Sequence, residues 1–300
     1  MSDSSHGAPD PGRAMFERLI GEMRPKLHRY CARMTGSAID GEDIVQEALM
    51  KAIAAYGATD SIARLEAWLF RIAHNTALDF LRRRARQAAR EAPEELEMVA
   101  DPVDTVAARE IAAMSLKTFQ HLPVAQRSSV ILMDVLGYTI EEIATLTEST
   151  VPAVKASLHR GRAALREWVA APEDKAPPPL AAAERARLEN YIAHFNARDF
   201  DAVRDMLAEE VRLDLVARLQ LNGKAAVGNY FTQYARGQDW LFGLGTIDGT
   251  PAILVRDAEE PQGPPKYAVV LGWTGDKVTA IRDFRFARYV LDAAGVVSFG

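Results

Sequence analysis

The segment APEDKAPPPLAAA, residues 171–183, constrains the architecture more than any other stretch of the chain. Proline lacks a backbone N–H and holds φ at about −65°, so a run of them interrupts both helices and central strands. Such a run reads as a stiff linker. The hydrophobic period changes across it. Before it, apolar residues recur at three- and four-residue intervals: Ile44, Ala48, Met50 and Ile53, then Trp68, Leu69, Ile72, Ala73 and Leu78. That period predicts helices over residues 14–90 and again over 105–170. After it, two helices, about 184–196 and 199–209, precede the alternating segments VRLDLVARL, PAILVRD, KYAVVLGW and KVTAIRDFRFARYVL. Those segments predict strands, with turns at Asn222-Gly223, Asp248-Gly249 and Gly275-Asp276. The chain is expected to be multidomain, an all-α amino-terminal half joined to an α+β domain.

Composition narrows the setting. The single Cys31 removes any internal disulfide framework and suits a reducing cytoplasm. No apolar run reaches the roughly 18 residues of a membrane span. The first residues, MSDSSHGAPDPGRA, lack the pattern of a signal peptide and read as a short tail. A cytoplasmic protein without membrane contact is expected. The six histidines are scattered, so neither a metal site nor a cofactor is implied.

The formal net charge of −5 hides a blockwise distribution. LRRRARQAAR, residues 81–90, carries five arginines and no acid, whereas EAPEELEMVADPVD, residues 91–104, carries only acids among its charged residues. That alternation suggests a basic surface followed by an acidic connector. An acidic chain still binds nucleic acid when its positive charge is concentrated on the contacting faces.

The stretch TIEEIATLTESTVPAVKASLHRGR, from Thr139, reads as two short helices around a tight turn. Thr139 and Glu142 have the spacing of a capping box. Thr150 suits an N-cap, and Pro152 is tolerated in the first turn that follows. Val154 and Leu158, four residues apart, face inward. Ala153, Lys155, Ala156, Ser157, His159, Arg160 and Arg162 then share the flanking and outward faces. Small residues followed by basic ones on a second helix suit insertion into a major groove. The alternative is a helical hairpin with a solvated basic face.

These residues also carry a resemblance. LPVAQRSSVILMDVLGYTIEEIATLTESTVPAVKASLHRGRAAL, residues 122–165, resembles region 4 of the extracytoplasmic-function sigma factors, with their L-P-x-x-x-R opening and V-K-x-x-L-x-R-x-R close. DGEDIVQEALMKAI resembles region 2.2, and AWLFRIAHNTALDFLRRRAR resembles regions 2.3 and 2.4. The resemblance implies a region 2 helical bundle over 14–90, an acidic linker over 91–104 and a region 4 helix-turn-helix over 105–170. It implies core RNA polymerase and promoter DNA as partners. Asp43, Gln46 and Glu47 would face the polymerase. Asn75 would read a flipped base of the −10 element, with Arg82, Arg83 and Arg84 on phosphates and Asp79 there or positioning those arginines. Thr150, Ala153, Lys155, Ser157, His159, Arg160 and Arg162 would meet the −35 element. Trp68 is expected in the core, and His74 in a structural role.

Beyond the linker, LENYIAHFNARDFDAVRDMLAEEVRLDL resembles the start of SnoaL-like domains, which are cone-shaped α+β folds. That implies a regulatory domain over 184–300, open to a small-molecule ligand. Related folds run cyclase and isomerase chemistry with a buried acid. Here Asp214 and Asp283 would be the candidates, with Tyr191 or His194 nearby. The plainer expectation pairs Asp283 with Arg282 or Arg285, and Asp214 with Arg212 or Arg218. No catalysis is expected. A one-component helix-turn-helix regulator with a ligand-sensing tail, or a cone-fold enzyme, are the alternatives.

Overall fold

A computed structural model describes residues 11–56, 65–88, 111–112, 114–170, 180–237 and 239–299. The acidic linker and residues 171–179 of the proline-rich segment lie outside the described residues, as does the start of the chain. The chain divides between Ala171 and Pro172 into two compact units.

The amino-terminal unit is helical: α1 (Pro11–Thr35), α2 (Ala38–Tyr56) and α3 (Leu65–Ala88), then a 3₁₀ turn (Thr118–His121). Helix α4 (Val124–Val130) runs on into a π turn (Ile131–Val135), followed by α5 (Ile140–Leu146) and α6 (Val151–Ala170). All contribute to one core that includes Leu27, Tyr30, Phe70, Phe119, Ile143 and Leu165. Two glycines set the closest crossings. A Cβ on Gly41 would fall 2.6 Å from the backbone of Ala32, and one on Gly161 would fall 2.8 Å from Val130.

A helix end buried in a core must find partners for its last carbonyls. At the end of α1 they come from Gln120 and Arg127, far along the chain. Arg127 donates to the carbonyls of Met34 (2.6 Å), Gln120 (3.1 Å) and Leu122 (2.9 Å). The Gln120 amide donates to the carbonyls of Arg33 and Met34. Burial pulls the Arg127 guanidinium down to about 10, still charged at neutral pH. Thr139 and Glu142 form the expected capping box at the start of α5.

The second unit is α+β: α7 (Ala182–Asn196), α8 (Phe200–Asp205), β1 (Leu207–Leu215), β2 (Leu219–Asn222), α9 (Lys224–Arg236), β3 (Leu241–Ile247), β4 (Thr250–Arg256), β5 (Tyr267–Thr274), β6 (Lys277–Asp283), α10 (Tyr289–Ala293) and β7 (Val296–Ser298). The strands make one seven-stranded sheet in the order β2-β1-β6-β5-β4-β3-β7. β1 and β6 pair in parallel and the other neighbours antiparallel. Phe195 of α7 stacks on Phe242 of β3 at 4.2 Å, with Phe200, Phe231, Tyr234 and Trp240 edge-on around it.

Several boundaries differ from expectation. The second helix stops at Asp205, because Leu207 already pairs with Val278. VRLDLVARL is not one strand; Ala217, at φ 66°, turns the chain between β1 and β2. KVTAIRDFRFARYVL is a strand only to Asp283. Beyond it Phe284, Ala287 and Val290, all fully buried and three residues apart, switch the period from two to three. Asp248-Gly249 and Gly275-Asp276 do turn hairpins, between the pairs Ile247–Thr250 and Thr274–Lys277. Asn222-Gly223 instead opens α9, with Gly223 at φ 86° before its first turn. Strand β3 carries no alternating signal, because Gly243 and Gly245 break the pattern; a Cβ on Gly245 would lie 2.5 Å from the Val297 carbonyl.

Candidate nucleic-acid interface

Helix α6 is built as its sequence suggests. The Thr150 hydroxyl accepts the Ala153 N–H at 3.3 Å, and Val154 and Leu158 are buried. The turn before it contains no glycine. Glu148 takes the left-handed conformation itself, at φ 52°, and Ser149 N–H donates to the Ala144 carbonyl. Thr150, Ala153, Lys155, His159 and Arg160 are exposed. Two of the expected residues stand in other surroundings. Ser157 is buried, because it sits beside Leu158 on the inner flank. Arg162 turns back to Asp134 with two hydrogen bonds, one of 2.9 Å, and the Asp134 side chain is only 3% exposed. A carboxylate so deeply buried requires a cation, and Arg162 supplies it.

Helix α3 carries the second group. Asn75 stands exposed between His74 and Thr76, which are buried. The Tyr30 hydroxyl is 2.6 Å from His74 Nδ1, and burial lowers that imidazole to about 4, so it is neutral and structural. Trp68 is half-buried against the core. Arg82, Arg83 and Arg84 are exposed, and each is held by an acid: Arg82 by Asp79 at 3.1 Å, Arg83 by Glu47 at 3.3 Å and Arg84 by Asp40 at 3.4 Å.

Helix α2 presents the third face. Asp43 is exposed, while Gln46 and Glu47 are half-buried. Glu47 also pairs with Lys51 at 2.8 Å, and the bonds from Lys51 and Arg83 hold its carboxyl below the usual range. Met50 and Ile53, counted above in the apolar period, are not core residues: they are 65% and 53% exposed. At three- and four-residue spacing they continue the face begun by Asp43, Gln46 and Glu47. Sequence reasoning missed them as surface residues. Their signal was present, since Ile44, Ala48 and Ala52 already fill the opposite face.

The chain matches the families Sigma-70 region 2 over residues 19–87 and Sigma-70, region 4 over residues 116–165. It is 33% identical over 162 residues to the ECF RNA polymerase sigma factor SigM of Mycobacterium tuberculosis, covering 54% of this chain and 80% of that one. The chain belongs to the extracytoplasmic-function sigma factor family. It is also 30% identical over 233 residues to the sigma factor SigG of the same organism, covering 69% of this chain. That match spans 63% of the length of SigG. Among solved structures it is similar to the M. tuberculosis extracytoplasmic function sigma factor SigJ, 20% identical with a TM-score of 0.35, covering 89% of this chain and 95% of that one.

Beyond the sigma regions, the α+β unit of this family member has a small cavity between α7, α9 and the sheet. It sorts the sequence candidates. Asp283 and Tyr191 line it. Asp214 does not: Leu213 and Leu215 are buried, so the alternation of β1 puts Asp214 on the other face, opposite Gln220 and Arg282. His194 also points elsewhere, 3.5 Å from Asp199. Asp283 is held by hydrogen bonds rather than by the expected salt bridge, with the Arg285 charge acting on it from a distance. It accepts the Tyr234 hydroxyl at 2.7 Å, the Tyr230 hydroxyl at 3.4 Å and the Arg285 backbone N–H at 2.9 Å. Burial raises its carboxyl above the usual range despite those bonds. Among the described residues no His, Cys, Asp and Glu cluster could hold a metal, and no helix is long and apolar enough to cross a membrane.

Proposed function

We propose that this chain binds core RNA polymerase and directs it to promoters, with its α+β unit modulating that activity. The observation that carries this is the separation of three exposed faces on one helical unit. An acidic and apolar face on α2 suits a basic, partly apolar partner surface. Asn75 and the arginines of α3 suit a splayed base and its flanking phosphates. Lys155, His159 and Arg160 on α6 suit a major groove. Residues 14–90 and 105–170 are thus assigned to regions 2 and 4, residues 91–104 and 171–183 to linkers, and 184–300 to a SnoaL-like regulatory domain.

Within this proposal Glu47 has two tasks. It borders the polymerase face and fixes Arg83, so docking at α2 and the arginine array of α3 share one side chain. Run-off transcription with core polymerase tests the assignment, comparing the full chain with a form ending at Ala170. Specific transcripts from one promoter are expected from both, at different yields. If neither form directs specific initiation the proposal fails, and equal yields across salt and protein concentration make the α+β unit a passenger.

A further inference from the structure

The sigma-factor assignment makes no use of the cavity in the α+β unit. Among the described residues Asp283 is the only charged side chain lining it, 2% exposed, and its walls are aromatic: Tyr191 and Phe195 on α7, Tyr230 and Tyr234 on α9, and Phe242 on β3. Among the described residues no cationic side chain forms an ion pair with Asp283. Arg285 meets it through the backbone N–H, and its guanidinium, over the Tyr234 ring at 5.4 Å, attracts the carboxylate only from a distance. This contrasts with Glu42 and Asp134 of the helical unit, each of which has an arginine partner. A buried carboxylate ordinarily has a cation beside it.

The hydrogen-bond inventory says what the cavity lacks. The Tyr230 and Tyr234 protons and the Arg285 N–H are already directed at Asp283. An ionised carboxylate offers about four acceptor sites, so at least one remains, and the Tyr230 oxygen can accept as well. The Tyr191 hydroxyl, on a residue 1% exposed, lines the same cavity and can both accept and donate. Apart from the Tyr191 proton the polar lining offers acceptors, so a guest that supplies donors fits it best. The surrounding rings present negative π faces, which favour positive charge. We propose that the cavity binds the protonated head group of a small primary amine, with Asp283 as its counter-ion and Tyr191 as a second acceptor. A carboxylate or a ketone would meet acceptors and few free protons. The space is about 10 Å³ and partly open to solvent, room for about one water-sized group, so an ammonium enters while its carbon chain extends outward.

Three probes of equal chain length separate this from nonspecific apolar binding: n-butylammonium, n-butanol and butyrate, each titrated calorimetrically into the full-length protein. Butylammonium is expected to bind at least about tenfold more tightly than butanol, and butyrate more weakly still. Asp283→Asn should erase the preference for the amine. Tyr191→Phe should weaken butylammonium about threefold and leave butanol unchanged. Burial raises the Asp283 carboxyl and an ammonium beside it would lower it again, so amine binding should be linked to proton release, seen as a dependence of the heat on buffer ionisation. If Asp283→Asn does not fold, the Tyr191→Phe and proton-release results decide. The proposal is overturned if butanol or butyrate binds as tightly as the amine, or if the preference survives Asp283→Asn. Absence of butylammonium binding at concentrations on the order of 100 mM, where a site of Kd ~10 mM would be mostly filled, overturns it equally.

Discussion

In the helical unit the buried carboxylates Glu42 and Asp134 are locked to Arg24 and Arg162, whereas in the α+β unit the buried carboxylate Asp283 is held by phenols and a backbone amide. The first arrangement is closed: each charge has an internal counter-charge, and the groups left for partners stand on outer faces. The second is open. Its direct partners are neutral donors, with the Arg285 charge acting only from a distance; burial raises its pKa, and its neighbours line a cavity rather than a surface. One unit is built to be read from outside and the other to be entered.

The largest effect expected from this contrast is on stability. Arg162→Ala leaves Asp134 buried without a partner and should cost about 3–5 kcal/mol in urea unfolding of the helical unit. Asp283→Asn keeps the shape of a group that has no direct salt bridge to lose, and should cost the α+β unit about 1 kcal/mol or less. Equal costs would erase the distinction.

Acidification should move the two units in opposite directions. His74 is lowered to about 4 in the fold, against an ordinary value of about 6.5. Its contribution is complete above pH ~6.5 and is lost as pH falls towards 4, about 3 kcal/mol at most. Asp283 is raised, so its contribution is complete below an unfolded value of about 3.9 and is lost as pH rises through its folded value. Denaturant midpoints at pH 7 and pH 4.5, with His74→Gln and Asp283→Asn as controls, measure both signs. A helical unit whose pH response is the same with and without His74 would contradict the assignment.

Smaller effects separate the outer faces from the interior. Lys155→Ala or Arg160→Ala should weaken promoter binding by about 1–3 kcal/mol for a base contact, or reduce the salt slope by about one for a phosphate contact. Ser157→Ala should leave promoter affinity unchanged, since that side chain is buried; a loss equal to that of Lys155→Ala would return it to the interface. Smallest of all should be the stability change in the double variant Met50→Ser and Ile53→Ser, within about 0.5 kcal/mol, because both side chains are exposed. Its affinity for core polymerase should nevertheless fall. Unchanged affinity would remove these residues from the α2 face.

Much of the helical unit was legible in advance because its signals are local. A capping box needs residues three apart, an N-cap needs the next turn, and an inward stripe needs a spacing of four, so Thr139, Thr150, Val154 and Leu158 could be placed from neighbours alone. The α+β unit was less legible. The two hairpin dipeptides were readable. Strand β3, with its two glycines, and the break in period after Asp283 were not, because both depend on packing against distant strands.

Sequence alone determined the change of architecture across the prolines, the order of the helices and the resemblance to sigma factors, since period, capping and motif are properties of short windows. Only the tertiary structure decided which charges are free. Arg162 and Lys155 lie on the same helix and share a charge, yet one faces Asp134 and the other solvent. Asp214 and Asp283 are both strand acids beside arginines, yet one stands on the outer face of the sheet and the other inside a ring of tyrosines. A side chain's role depends on what desolvates it and what lies within a few ångströms, and residues far apart in the chain supply both.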